Sequence, residues 1–164
     1  MNDLARYMRT HLAGSTAGVN LFDRAASEMS GPEATIIRRI HEELVEERVQ
    51  LRAMMDALGF HENPVINALA KAGERVGRLK PNGSLLHRTP KSDLVELETM
   101  RIALAGKLAG WESLLAIVDD EPRLDRSELE RLAAQARQQQ EAVRALHKTA
   151  AAHTLGPAAR DLAQ

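Results

Sequence analysis

The sequence predicts an all-α protein, a four-helix bundle of two antiparallel helix pairs joined by a long, partly helical crossover. Three observations carry that reading. Ala, Leu, Glu, Arg and Gln dominate the 164 residues. These are strong helix formers, and no segment alternates β-branched and polar residues as a half-buried strand would. Four long stretches carry apolar residues at helical spacing, and breakers separate or end them: Ser30-Gly31-Pro32, Gly59 with Pro64, Asp119 to Pro122, and Gly156-Pro157. The expected organisation is one bundle domain over 1–155, with helices at about 3–29, 33–58, 93–118 and 128–152. The crossover occupies 59–92 and holds a short helix at about 64–76, and residues 156–164 form a C-terminal tail.

The totals exclude several classes. A chain of this length with 44% apolar residues closes one core. Its 22 basic and 23 acidic residues leave a formal charge of -1, so no global basic field collects nucleic acid or anionic lipid. Aromatics at 2% remove the stacking platforms of single-stranded nucleic-acid binders. Without cysteine there is no disulfide, thiolate metal site or cysteine nucleophile. No apolar run approaches the roughly 20 residues that span a bilayer, and Met1 to Thr10 lack the apolar region of a signal peptide. The expectation is a cytoplasmic protein with no nucleic-acid or membrane partner.

The first helix starts near Asn2 or Asp3, either of which can cap it, and Leu4, Met8, Val19 and Phe22 line one face. His11 and Ser15 sit inside the same arc, and Gly14 and Gly18 beside it suit tight packing on a neighbouring helix. Pro32 suits a first helical turn and Glu33 adds favourable charge there, so the second helix follows with almost no loop and the two form a hairpin. On the second helix, Ile37, Ile40, Leu44, Leu51, Met54, Met55 and Leu58 share a face at about 100° per residue. Glu47 falls in the middle of that face. Gly59 is a good cap position for its end.

The crossover contains the amphipathic run Val65, Ile66, Leu69 and Val76 and the turn signal Lys80-Pro81-Asn82-Gly83. Lys71, Arg75, Arg78, Lys80, Arg88 and Lys91 make it locally basic, suited to a solvated surface or to a phosphate or acidic partner. Ser92 is placed to cap the third helix, whose stripe is Leu97, Leu104, Leu108, Trp111, Leu115 and Val118, with Arg101 on it and Glu98 and Glu112 at its edge. Ala103, Gly106, Gly110 and Ser113 form a second face of small residues, suited equally to a homodimer or to the crossover lying over it. Ser127 is placed to cap the fourth helix, where Leu129, Leu132, Ala136, Val143 and Leu146 face inward together with Gln139, Gln140 and His147.

Each long helix thus carries polar residues near the middle of its apolar stripe. His11, Ser15, Glu47, Arg101, Gln139 and Gln140, with Glu98 near Arg101, are candidates for one internal polar layer. An unpaired buried charge costs several kcal/mol, roughly 3–5 when a buried pair is broken, so these groups are driven to meet. Three arrangements remain open. Arg101 neutralises Glu47, with His11 or Gln139 hydrogen-bonded to it, giving a metal-free layer that fixes helix register. Alternatively His11 and Glu47, with Glu43, Glu98 or His147, hold a single metal ion and waters. In the third, the polar groups are staggered and satisfied separately.

The architecture resembles the ferritin-like superfamily. More narrowly, His11-Leu12-Ala13-Gly14, the run Val76-Gly77-Arg78-Leu79-Lys80-Pro81-Asn82-Gly83, and Leu97-Glu98 followed by Gly106-Lys107 and Trp111 look like a small bacterial family of ferritin-like proteins of uncharacterised function. The resemblance implies the fold and raises a carboxylate-bridged di-iron or di-manganese centre, which needs a Glu-x-x-His pair from each of two helices. No Glu-x-x-His occurs: Met8, Arg38, Leu58, Ser84, Arg144 and Ala150 stand three residues before the six histidines. His41-Glu42 opens like the zinc-protease signature, but Val45 stands where its second histidine belongs. The expectation is a non-enzymatic bundle without a cofactor, in a structural, stress-associated or partner-binding role. The alternative is a metal-binding oxidoreductase or an iron- or manganese-handling protein with an incomplete site.

Overall fold

The computed structural model describes residues 3–60 and 90–156. Four α-helices and no strands occur among the described residues: α1 (Asp3–Glu28), α2 (Gly31–Ala57), α3 (Pro90–Leu115) and α4 (Arg126–Leu155). The short helix expected at about 64–76, the basic run over 71–88 and most of the tail lie outside the described residues. No helix among the described residues is long and apolar enough to cross a membrane.

The helix ends follow local chemistry. Only Met29 and Ser30 separate α1 from α2, and Gly31 turns the chain at φ 75, in the left-handed region that favours glycine. Pro32 then sits in the first turn of α2, where its missing N–H leaves no bond unmade. At the other end of α2, Gly59 also has φ 75, its N–H donates to the Asp56 carbonyl at 2.9 Å, and the Phe60 N–H donates to Met55 at 2.8 Å. That is a Schellman closure with glycine at its left-handed position, as the sequence suggests.

Several boundaries differ from expectation, among them the end of α4, which reaches Leu155 instead of about 152. Helix α3 begins at Pro90, so Ser92 lies inside its first turn instead of capping it. Helix α3 ends at Leu115, and Ile117 and Val118 continue in tighter turns, donating to Leu114 and Leu115 at 3.2 and 3.4 Å. Asp125, not Ser127, caps α4. Its Oδ1 accepts from the Ser127 and Glu128 N–H groups at 2.8 and 3.2 Å and from the Ser127 hydroxyl at 2.7 Å. These bonds, the hydroxyl's foremost, hold the Asp125 carboxyl below its ordinary value.

Helix α1 packs on α2 and α3, and α4 packs on α3 and α2, so each helix has two neighbours around a common axis. The interior separates into two apolar clusters. One joins Met8 and Leu12 of α1 to Leu51 and Met55 of α2, Trp111 and Leu114 of α3, and Leu129 to Ala136 of α4. The other joins Phe22 and Ala25 to Ile37 and Ile40, Met100 and Leu104, and Val143. Between them lies the level at which the four stripes turn polar.

Candidate functional site

Two polar side chains are buried among the described residues: Glu47, 3% exposed, and Gln139, 2% exposed. Both lie on the layer between the apolar clusters. Lys107 of α3 joins them. Its ammonium donates to Glu47 Oε2 at 2.6 Å and to Gln139 Oε1. The Gln139 amide nitrogen in turn donates to Glu47 Oε1 at 2.9 Å and to Glu43 Oε2 at 2.8 Å. Glu47 therefore has both oxygens engaged, one by a cation and one by an amide, which is the condition for a charge to stay buried without a large penalty. Burial pushes the Lys107 ammonium below the usual lysine value, and the charges of Glu47 and Glu43 pull it partly back.

In the first of the three arrangements open to the sequence Arg101 neutralises Glu47, whereas the structure puts Lys107 there. Arg101 is exposed and donates to His147 Nδ1 at 3.1 Å, and His147 Nε2 lies 3.3 Å from Glu98 Oε1. These three residues form a separate cluster on the α3–α4 surface. Ser15 donates to its own helix at the Leu12 carbonyl, 2.7 Å away. Gln140 is half-buried beside the layer and enters none of the layer's bonds above. The signal for Lys107 was legible. Leu97, Met100, Leu104, Lys107, Trp111 and Leu114 recur at alternating steps of three and four residues, and every member but Lys107 is apolar.

His11 stays near the layer but does not bond it. It is half-buried, tilted against Tyr7 with ring centroids 4.5 Å apart, and lies close against Gly110. A Cβ built at position 110 would stand 2.7 Å from His11 Nδ1, so the imidazole needs a glycine there. Burial lowers the His11 pKa from its ordinary value, favouring the neutral ring.

His11, Glu47 and Lys107 all line a cavity of about 320 Å³ between α1, α2 and α3. Gly14 and Gly18 of α1 face into it across from Ala103, Gly106 and Gly110 of α3. Among the described residues the glycines of α1 do not make the tight contact their spacing suggests: none lies within 4 Å of a Cβ built at Gly14, Gly18 or, on α3, Gly106. Three of the four small residues read as a homodimer or crossover face thus belong to this cavity, and the fourth, Ser113, is exposed and donates to its own helix at Ala109. Trp111, 4% exposed, also lines it, and its indole Nε1–H is buried without an acceptor among the described residues.

Among the described residues no three His, Asp or Glu groups stand where they could hold a metal ion together. What the layer can do chemically is hold charge: Lys107 presents three protons, of which Glu47 and Gln139 take two. No protein-family model, curated protein or solved structure matches the chain.

Proposed function

We propose that the chain is a ferritin-like bundle with a non-catalytic binding role, in which an internal ion pair takes the mid-bundle position that a metal centre has in other bundles of that kind. The carrying observation is the Lys107 ammonium 2.6 Å from Glu47 Oε2, with Gln139 bridging to Glu43. A lysine cation there supplies the positive charge that two carboxylates require. The remaining donor set, two carboxylates and one amide with no imidazole bonded to them, does not fit a dinuclear centre built on Glu-x-x-His pairs. Antiparallel pairing of α1 with α2 and of α3 with α4 is supported by the clusters, since the start of α1 meets the end of α2, and the end of α3 meets the start of α4.

In this reading the layer sets register. A one-turn slip of α2 or α3 would part Glu47 from Lys107, and the cost of an unpaired buried charge favours the aligned packing of those helices. Elemental analysis of protein purified without chelators, before and after incubation with iron(II) and manganese(II), tests the proposal. The expected result is no stoichiometric metal. One or two ions per chain, lost in Glu47→Gln, would overturn it in favour of a metal-handling protein.

A further inference from the structure

The ends of the described residues set a problem of path. Phe60, just past α2, packs on the cluster that holds the start of α1, whereas Leu97, near the start of α3, lies in the opposite cluster. Residues 61–89 must therefore connect the two ends of the bundle, a span of about 39 Å for the 26-residue α3. Their 29 residues suffice, since they reach about 100 Å fully extended. Helices α2 and α3 stand diagonally, each packed on α1 and α4, so the path runs over α1 or over α4. On the α4 side, polar side chains bridge the grooves: Arg131 donates to Gln50 and Gln139 to Glu43 on α2, and Arg137 donates to Glu112 on α3. Between α1 and α3, the Arg24–Glu96 pair crosses near the start of α3, and beyond it the trough is mainly apolar. No described residue lies within 4 Å of a Cβ built at Gly14, Gly18 or Gly106. Ile102 on the α3 wall is 74% exposed, and Val95, nearer Pro90 on the same side of the helix, is 52% exposed. The open trough is thus continued by exposed apolar surface toward the point where residues 61–89 rejoin the bundle.

We infer that the chain's own segment 61–89 docks in the trough between α1 and α3, its apolar residues Val65, Ile66 and Leu69 on the face formed by Gly14, Gly18, Gly106 and Ile102. The sequence spaces those three as one apolar face, and burying it on an apolar trough removes both surfaces from water. A small ligand is the poorer occupant. Such sites orient their ligand with a few free polar groups, and Glu47 and Lys107 of this lining engage each other. The assignment decides between the two uses left open for the small residues of α3. It does not depend on the metal-free layer: stoichiometric metal would sink that reading and leave this one standing.

The chain has no cysteine, so a thiol placed at Ile102 is the single one present, and its alkylation by a maleimide reads whether that face is covered. In the full chain, Ile102→Cys should react about tenfold more slowly than Val49→Cys, at an exposed position of α2. Combining Val65→Asp, Ile66→Asp and Leu69→Asp should raise the Ile102→Cys rate to that of Val49→Cys, with helical circular dichroism retained. Gly18→Leu fills the trough from the other side and should speed trypsin cleavage after Lys71, Arg75 and Arg78 several-fold. That variant decides the question if the triple aspartate chain does not fold. Equal rates at Ile102→Cys and Val49→Cys would overturn the inference. Slow labelling that a folded triple variant leaves unchanged would overturn it as well, by showing another occupant, and so would unaltered cleavage of Gly18→Leu. Slow labelling that rises on dilution would overturn it by identifying a second copy of the chain in the trough.

Discussion

At the level of Glu47, the α2–α4 side of the bundle and the α1–α3 side are built on opposite plans. Between α2 and α4, long polar side chains fill the space: Gln139 reaches both Glu43 and Glu47, and the buried atoms are paired. Between α1 and α3, nothing among the described residues lies within 4 Å of a Cβ built at Gly14, Gly18 or Gly106, and the buried Trp111 N–H has no acceptor among them. The difference teaches how the layer divides its tasks. Lys107, Glu47 and Gln139, from three helices, suffice to satisfy one buried carboxylate. The fourth helix, α1, brings no bond to it and is free to supply room.

The comparison breaks most severely at Lys107, which serves both sides. Lys107→Met removes the cation and strands the Glu47 carboxylate, so unfolding in denaturant should show a loss of about 3–5 kcal/mol. A loss under about 1 kcal/mol would mean that the pair behaves as though it were on the surface. Next comes the contrast between two glycines on the open side. Gly110→Ala drives a methyl into His11 and should cost about 1–2 kcal/mol after the gain in helix propensity is deducted. Gly18→Ala meets none of the described residues within 4 Å and should stabilise by up to about 1 kcal/mol. Equal effects at the two positions would show that the α1–α3 side is not open as described.

The smallest effect concerns pH. Burial lowers the His11 pKa in the fold below the 6.5 of the unfolded chain, so between the two values the unfolded state binds more protons. That contribution favours the fold fully above about pH 6.5, and it is lost as pH falls through the folded value. Tyr7, Glu47, Arg48 and Lys107 line the same cavity, and the surface carboxylates add their own slope. The test is therefore a difference: His11→Gln should lose less stability than the native chain between pH 7 and 5. Parallel curves would contradict burial of the ring.

The helices were legible because their apolar stripes are long and their breakers unambiguous. The Gly59 closure of α2 was readable from one residue. Glu47 and Gln139 were visible as polar members of apolar stripes. Arg101 misled because it lies one step past Met100, which turns it outward to His147, and because an arginine looks the better partner for a carboxylate. Lys107 was masked for the opposite reason: a lysine on a helix reads as solvated surface unless its strict three-four spacing with Leu104 and Trp111 is weighed. The cavity was not legible at all. Glycines four residues apart signal close approach and empty space alike, and only the positions of the neighbouring helices decide between them.

A double-mutant cycle on Glu47 and Lys107 tests the central pairing most directly, comparing Glu47→Leu, Lys107→Met and the double variant by equilibrium unfolding. With Gln139 still held by Glu43, the double variant replaces a buried pair by apolar groups and should recover most of the stability lost in Lys107→Met, giving a coupling above about 2 kcal/mol. Additive losses, within about 0.5 kcal/mol, would contradict a direct bond between the two side chains.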